Sequence, residues 1–170
     1  MNTLLSSKAT LISQAVSQPY RTDKIGTRVP TSKPNTSASP RLMKVLLVED
    51  SVLLREALTE ILSGCPGLSF EGVASTQAGA ISLLQQKPFD LLLVDIELAQ
   101  GNGFEVIKAT QADSYPFKRP LCVVLTNHAH NQYREEAKKL EVKYFFDKSM
   151  DFELAIETIE AETKKFIGAH

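Results

Sequence analysis

The 170-residue chain balances 19 Lys/Arg against 20 Asp/Glu for a net charge of −1, with 43% hydrophobic and 23% charged residues, the proportions of an ordinary globular domain plus an appendage. The charge is uneven. Residues 1–42 hold six Lys/Arg with Asp23 as their sole acid, which leaves thirteen bases and nineteen acids, a net of −6, in the remainder; so acidic a body excludes a general nucleic-acid surface, and no run approaches the roughly 18 apolar residues of a membrane span.

In chain order, residues 1–42 are polar and acid-poor, with Pro19, Pro30, Pro34 and Pro40 spread through them. Such a segment buries too little surface to offset its ordering entropy and is expected to be disordered. A short transient helix over 4–17 is the one element it suggests. Its Ser/Thr-rich composition also occurs in organelle transit peptides. The plainer reading is an unstructured tail, or an over-extended start with Met43 as the true beginning. No apolar stretch followed by a small-residue cleavage site marks a secretory signal.

From residue 43 onward, apolar runs and helix-period runs alternate. Strands are predicted at about 43–49, 68–74, 90–95, 120–126 and 142–147, and helices at about 51–63, 76–87, 103–112, 130–140 and 151–166. The first, third and fourth strands are near-continuous Leu, Val and Ile, as in parallel strands covered on both faces. In the first helix Leu53, Leu54, Ala57, Leu58, Ile61 and Leu62 recur at helical spacing, and Gly64 to Gly67 end it. Cys65 and Cys122 fit a reducing, cytoplasmic compartment, with Cys122 read as a small core residue. Five alternating pairs imply an α/β fold: a doubly wound parallel sheet with helices on both faces.

In such sheets ligands bind beyond the carboxyl ends of the strands. The sequence places Glu49 and Asp50 after the first strand, Asp95 after the third, Thr126 at the end of the fourth and Lys148 after the fifth. Two carboxylates about 4 Å apart repel by about 4 kcal/mol at an effective dielectric of about 20, so protons or a cation must neutralise the group. An all-oxygen donor set suits a hard cation, most naturally Mg2+. Asp beside such an ion, an ammonium and a hydroxyl is equipped to capture a phosphoryl group as an aspartyl phosphate.

These four motifs, KVLLVED, LLLVD, CVVLT and YFFDK, in this order, resemble the receiver domain of two-component response regulators over residues 43 to about 166. The resemblance implies a stand-alone receiver of 43–170 with a flavodoxin-like five-stranded sheet of order 2-1-3-4-5 and five helices. It implies Asp95 as phospho-acceptor, with Mg2+ held by Glu49, Asp50, Asp95 and the backbone carbonyl of Glu97. Thr126 and Phe145 take the switch positions, Lys148 the phosphoryl-contacting cation, and Gly103 a turn glycine valued for backbone freedom. It implies a sensor histidine kinase or histidine phosphotransfer protein as donor, and signalling through the face of the fourth helix, fifth strand and fifth helix, around Tyr133, Phe145 and Phe152. The chemistry is self-phosphorylation and autodephosphorylation rather than enzymatic turnover. With no length after His170 for a DNA-binding module, the expected output is a partner protein or homodimerisation, without direct contact to nucleic acid or membrane.

The sequence departs from the family pattern in three places. Ser149 follows Lys148 where a cis-linked Pro is usual, which bears on the loop's geometry. Ala99 replaces a frequent Pro, and Phe145 lacks the hydroxyl of the commoner Tyr, while Tyr144 is expected on the opposite face. Plain roles stand beside the sharp ones. Asp50 or Ser51 can cap the first helix. Thr126–Asn127 can be a simple turn, and Lys138–Lys139 and Lys164–Lys165 solvated faces. His128 and His130 lack a third soft ligand for zinc; they are expected in an exposed loop, from which His128 can affect water access to a phosphoryl group. Two rival functions are a Mg2+-dependent aspartyl-phosphate phosphatase of haloacid dehalogenase type, with Glu97 where a second Asp would be the general acid, and a flavodoxin-like redox protein. An acidic loop after the first strand repels the flavin phosphate that the latter would need.

Overall fold

The apolar runs of the larger part of the chain become strands. The computed structural model describes residues 41–169 and, through backbone pairing, Arg21–Thr22 and Arg28–Val29. The chain divides into two units, Met1–Ala38 and Ser39–His170. In the first, Arg21 pairs with Val29 and Thr22 with Arg28, antiparallel; the helix suggested over 4–17 lies outside the described residues. In the second, β1 (Met43–Val48), α1 (Val52–Ser63), β2 (Leu68–Ala74), α2 (Gln77–Gln86), β3 (Leu91–Val94), α3 (Gly103–Gln111), β4 (Leu121–Thr126), α4 (Asn131–Lys139), β5 (Tyr144–Asp147) and α5 (Phe152–Gly168) follow in strict alternation.

All five strands are parallel, in the order β2-β1-β3-β4-β5. Alternate side chains feed two cores, as the pleat requires. On one face Leu46, Val48, Leu92, Val94 and Val124 pack with Ala80, Leu84, Phe104, Ile107 and Ala137 from α2, α3 and α4. On the other Val45, Leu47, Leu91, Leu93, Val123 and Leu125 pack with Leu58 and Leu62 of α1 and Ala155 and Ile159 of α5. Tyr144 joins the second core and Phe145 the first, so the two do face opposite ways.

Side chains of the preceding loops start three of the helices. Ser51 Oγ accepts from Leu54 N–H at 3.4 Å, Thr76 Oγ1 from Gly79 N–H at 3.1 Å and Asn102 Oδ1 from Phe104 N–H at 2.7 Å, each satisfying a donor the helix leaves open. The apolar stripe of α1 is narrower than its spacing predicts. Leu58 and Leu62 are buried, whereas Leu53 is 79% exposed and Ile61 is also on the surface; a helix lying on a flat sheet buries only the residues directly beneath its axis. Gly64 caps α1 in right-handed conformation. The left-handed turn comes at Gly67, φ +89°, where a Cβ would also run into Ile167.

The edge of the sheet is tied to α5 by Glu162, whose Oε1 accepts from Tyr144 Oη and Lys165 Nζ, both at 2.8 Å, and from Lys143 Nζ at 3.3 Å. The Lys165 bond foremost, with those of Tyr144 and Lys143, holds its carboxyl down at about 2. A lowered carboxyl stabilises the fold above its unfolded value near 4.5, and the benefit fades as pH falls from there through about 2. Glu162→Gln is therefore expected to cost about 1 kcal/mol, a few degrees of melting temperature, at pH 7, with the gap to the parent closing in melts run toward pH 2.

Candidate functional site

Strand register sets the levels at the carboxyl edge. Val48 pairs with Val94, so the next residues, Glu49 and Asp95, stand side by side. Val94 pairs with Val124 and Thr126 with Asp147, which puts Thr126 one step above Asp95 and Lys148 one step above that. Glu49 is 2% exposed and Asp95 6%. Glu49, Asp50 and Asp95 each offer an oxygen within 4.8 Å of the others. Lys148 reaches back between two of them, donating to Glu49 Oε2 at 2.7 Å and to Asp95 Oδ2.

The backbone fixes each acid from a second side. Ser51 N–H donates to Glu49 Oε1 at 3.0 Å, Ala99 N–H to Asp50 Oδ2 at 2.9 Å and Glu97 N–H to Asp95 Oδ1 at 3.3 Å. Burial pushes the Glu49 carboxyl above its ordinary value, against the opposing bond and charge of Lys148. One ammonium among three carboxylates leaves the cluster short of positive charge. Its donors are all oxygen. That set fits a hard divalent cation and offers nothing to a soft one.

The structure thus brings Glu49, Asp50, Asp95 and Lys148 together, with Thr126 joined to Lys148 through the backbone, where Lys148 N–H donates to Thr126 O at 2.9 Å. Thr126 is buried, and its hydroxyl accepts from His128 N–H at 3.3 Å rather than meeting Asp95. Thr126 and Phe145 alternate onto one face of β4 and β5, as the pairing of Val124 with Phe145 shows. Arg134 lies over the Phe145 ring, 4.8 Å from its centre, and donates to Phe145 O at 3.3 Å.

Several features escape a reading of the sequence. The Glu97 side chain is held by Tyr133 Oη at 3.0 Å and by His128 Nδ1 at 3.1 Å, tying the loop after β3 to the start of α4. A general acid at Glu97, as the phosphatase reading needs, has no support in that arrangement. Gly103 is not in a left-handed conformation; a Cβ there would land on the Asp95 carbonyl oxygen, so close approach explains the glycine and backbone freedom does not. The left-handed residue in this loop is Gly101, φ +93°. Ser149 donates its N–H to Asp147 Oδ1 at 2.8 Å, a bond that proline could not make, and no peptide among the described residues is cis. Arg55, unremarked in the sequence, donates from Nη1 to the carbonyls of Glu49 and Asp50. Cys122 is half-buried, with its thiol pushed up to about 11 by burial, which leaves it a poor nucleophile.

A second cleft is lined by Arg41, Asp90, Lys118, Arg119, Glu162 and Lys165. Two of its cations are already paired, Arg41 with Asp90 and Lys165 with Glu162. Among the described residues no helix is long and apolar enough to cross a membrane.

Residues 45–160 match the family model of the response regulator receiver domain. The Bacillus cereus sensory transduction protein LytT is 27% identical over 124 residues, 73% of this chain and 48% of that protein. The Enterococcus faecalis LytT is 32% identical over 124 residues, 72% of this chain and 49% of its own length. The chain therefore spans about half the length of these relatives. Among solved structures, the chemotaxis response regulator CheY4 of Vibrio cholerae superposes with a TM-score of 0.60 at 25% identity, over 71% of this chain and 98% of that one.

Proposed function

The chain belongs to the response regulator receiver family, and from that premise we propose that it is a phosphorylation-operated switch whose acceptor is Asp95. The observation that carries this reading is the meeting of a buried Asp95 with Glu49, Asp50 and Lys148, drawn from three strand ends, around an oxygen-only pocket. In the transfer, an Asp95 oxygen attacks phosphorus and forms a P–O bond. The bond from phosphorus to the donor breaks, and its electron pair leaves with the imidazole of a phosphohistidine or the acetate of acetyl phosphate. Glu49, Asp50, Asp95 and the Glu97 carbonyl would hold Mg2+, which would supply positive charge to the phosphoryl oxygens. Lys148 exchanges its bond to Asp95 for one to the incoming group and so keeps its charge beside the reaction. The outcome is a signal rather than turnover.

Two surface features support a protein donor and a protein readout. Val52 and Leu53 at the start of α1, Met150 in the loop before α5 and Leu154 in its first turn are exposed apolar side chains, Met150 at 83%, and in sequence they lie within a few residues of Asp50 and Lys148. Such side chains suit the helices of a sensor kinase or phosphotransfer protein. On the readout side, α4 buries only Ala137, so a shift of this helix costs few core contacts. A phosphoryl group on Asp95 draws Thr126 toward it and unseats Phe145 beneath Arg134, which changes the α4-β5-α5 face for an output partner or a second copy. The reducing, cytoplasmic setting belongs to the same proposal.

The test is direct. Incubated with Mg2+ and acetyl phosphate, the full chain should acquire one acid-stable, base-labile phosphoryl group, visible by intact mass. Chelation should prevent it. A chain that stays unmodified at saturating Mg2+ and donor would defeat the proposal.

A further inference from the structure

Arg55 lies one turn into α1, outside the acidic group, yet it binds three consecutive carbonyls. Its backbone N–H donates to Ser51 O at 3.0 Å, and its side chain Nη1 donates to Glu49 O at 2.7 Å and to Asp50 O at 2.8 Å. Glu49 and Asp50 fall after the last residue of β1 and before α1, where neither the strand ladder nor the helix supplies a donor by its regular pattern. The two carboxylates on this turn repel each other and Asp95. Rotation of its peptide planes would swing the side chains apart. The guanidinium opposes that rotation from the carbonyl side, and the Ser51 and Ala99 N–H groups oppose it from the carboxylate side.

We infer that Arg55 is a positioning residue for cation binding: by clamping the carbonyls of Glu49 and Asp50 it fixes the peptide planes from which both carboxylates project toward the ion. The inference rests on the proposed phosphoryl switch for the identity of the cation. Two physical effects of Arg55 have opposite signs here. Its positive charge repels a divalent ion, so removing the charge alone would tighten binding. Its geometry preorganises the ligands, so removing the clamp loosens binding. Residues that orient metal ligands from behind are typically worth about tenfold or more in affinity, and a planar guanidinium fork is not reproduced by an ammonium.

Mg2+ titration calorimetry on the full chain separates the two. Arg55→Ala should weaken Mg2+ binding about tenfold, and Arg55→Lys, which keeps the charge, should weaken it as well. In labelling with acetyl phosphate, the Mg2+ concentration for half-maximal rate should rise by more than the maximal rate falls. Circular dichroism and melting in EDTA confirm that both variants fold. If Arg55→Ala binds Mg2+ as tightly as the parent or more tightly, or if Arg55→Lys matches the parent, the clamp is refuted while the switch stands. A parent chain that binds no Mg2+ refutes the switch, and the clamp with it.

Discussion

Asp95→Asn is expected to abolish the phosphoryl adduct formed with Mg2+ and acetyl phosphate while leaving a folded protein. The amide oxygen lacks the charge that attacks phosphorus, and Asn is close to Asp in shape. The comparison that gives this result meaning is Asp50→Asn. Asp50 is held by Ala99 N–H, and in the proposed switch it would contribute charge to the cation but no nucleophile. Its substitution should slow labelling and raise the Mg2+ requirement without eliminating the adduct at high Mg2+. Equal labelling of Asp95→Asn and the parent would place the acceptor elsewhere.

Lys148→Met should show the second largest effect, this time on stability. The Lys148 side chain is 8% exposed and paired with two carboxylate side chains buried as deeply. Met matches its length and supplies no charge, so Glu49 and Asp95 are left to repel each other in a poorly solvated pocket. Removing one partner from such a group costs about 3 kcal/mol, roughly 10 °C in a domain of this size. A divalent ion can replace the lost charge. Thermal melts should therefore show a larger stabilisation by Mg2+ in Lys148→Met than in the parent, through binding to the folded state alone. A variant that melts with the parent in EDTA, or that gains no more from Mg2+, would show that Lys148 does not balance the two acids. The same variant should label poorly even at high Mg2+, because the ion restores pocket charge but not the cation that follows the phosphoryl group.

The sequence and the structure agree where chemistry is written into local pattern. Apolar strands that stop on Glu49, Asp95 and Thr126 can be read from the chain because a parallel sheet covered on both faces demands such runs, and its geometry lines up their ends. Alternation alone separates Tyr144 from Phe145. What depends on approach between distant segments cannot be read in that way. Gly103 is required by the Asp95 carbonyl across a loop, and nothing near it in sequence tells a crowded glycine from a left-handed one. The partners of Glu97 on His128 and Tyr133 come from a later loop and helix. Arg55 looks like any helical arginine until the turn behind it is in place. Leu53 and Ile61 share the period of the buried residues of α1 yet lie on the surface, because periodicity finds a face of the helix but not the width of the ground beneath it.

The order in which the sheet is stitched has a consequence for how competence is acquired during folding. The acids come from β1 and β3, which are direct neighbours, but their counter-cation follows β5, two strands further out. A chain that has assembled only its centre already crowds Glu49 against Asp95, with nothing to offset them. The acids are therefore balanced only once β5 has docked, so an edge strand that supplies none of them completes the charge of the central pair.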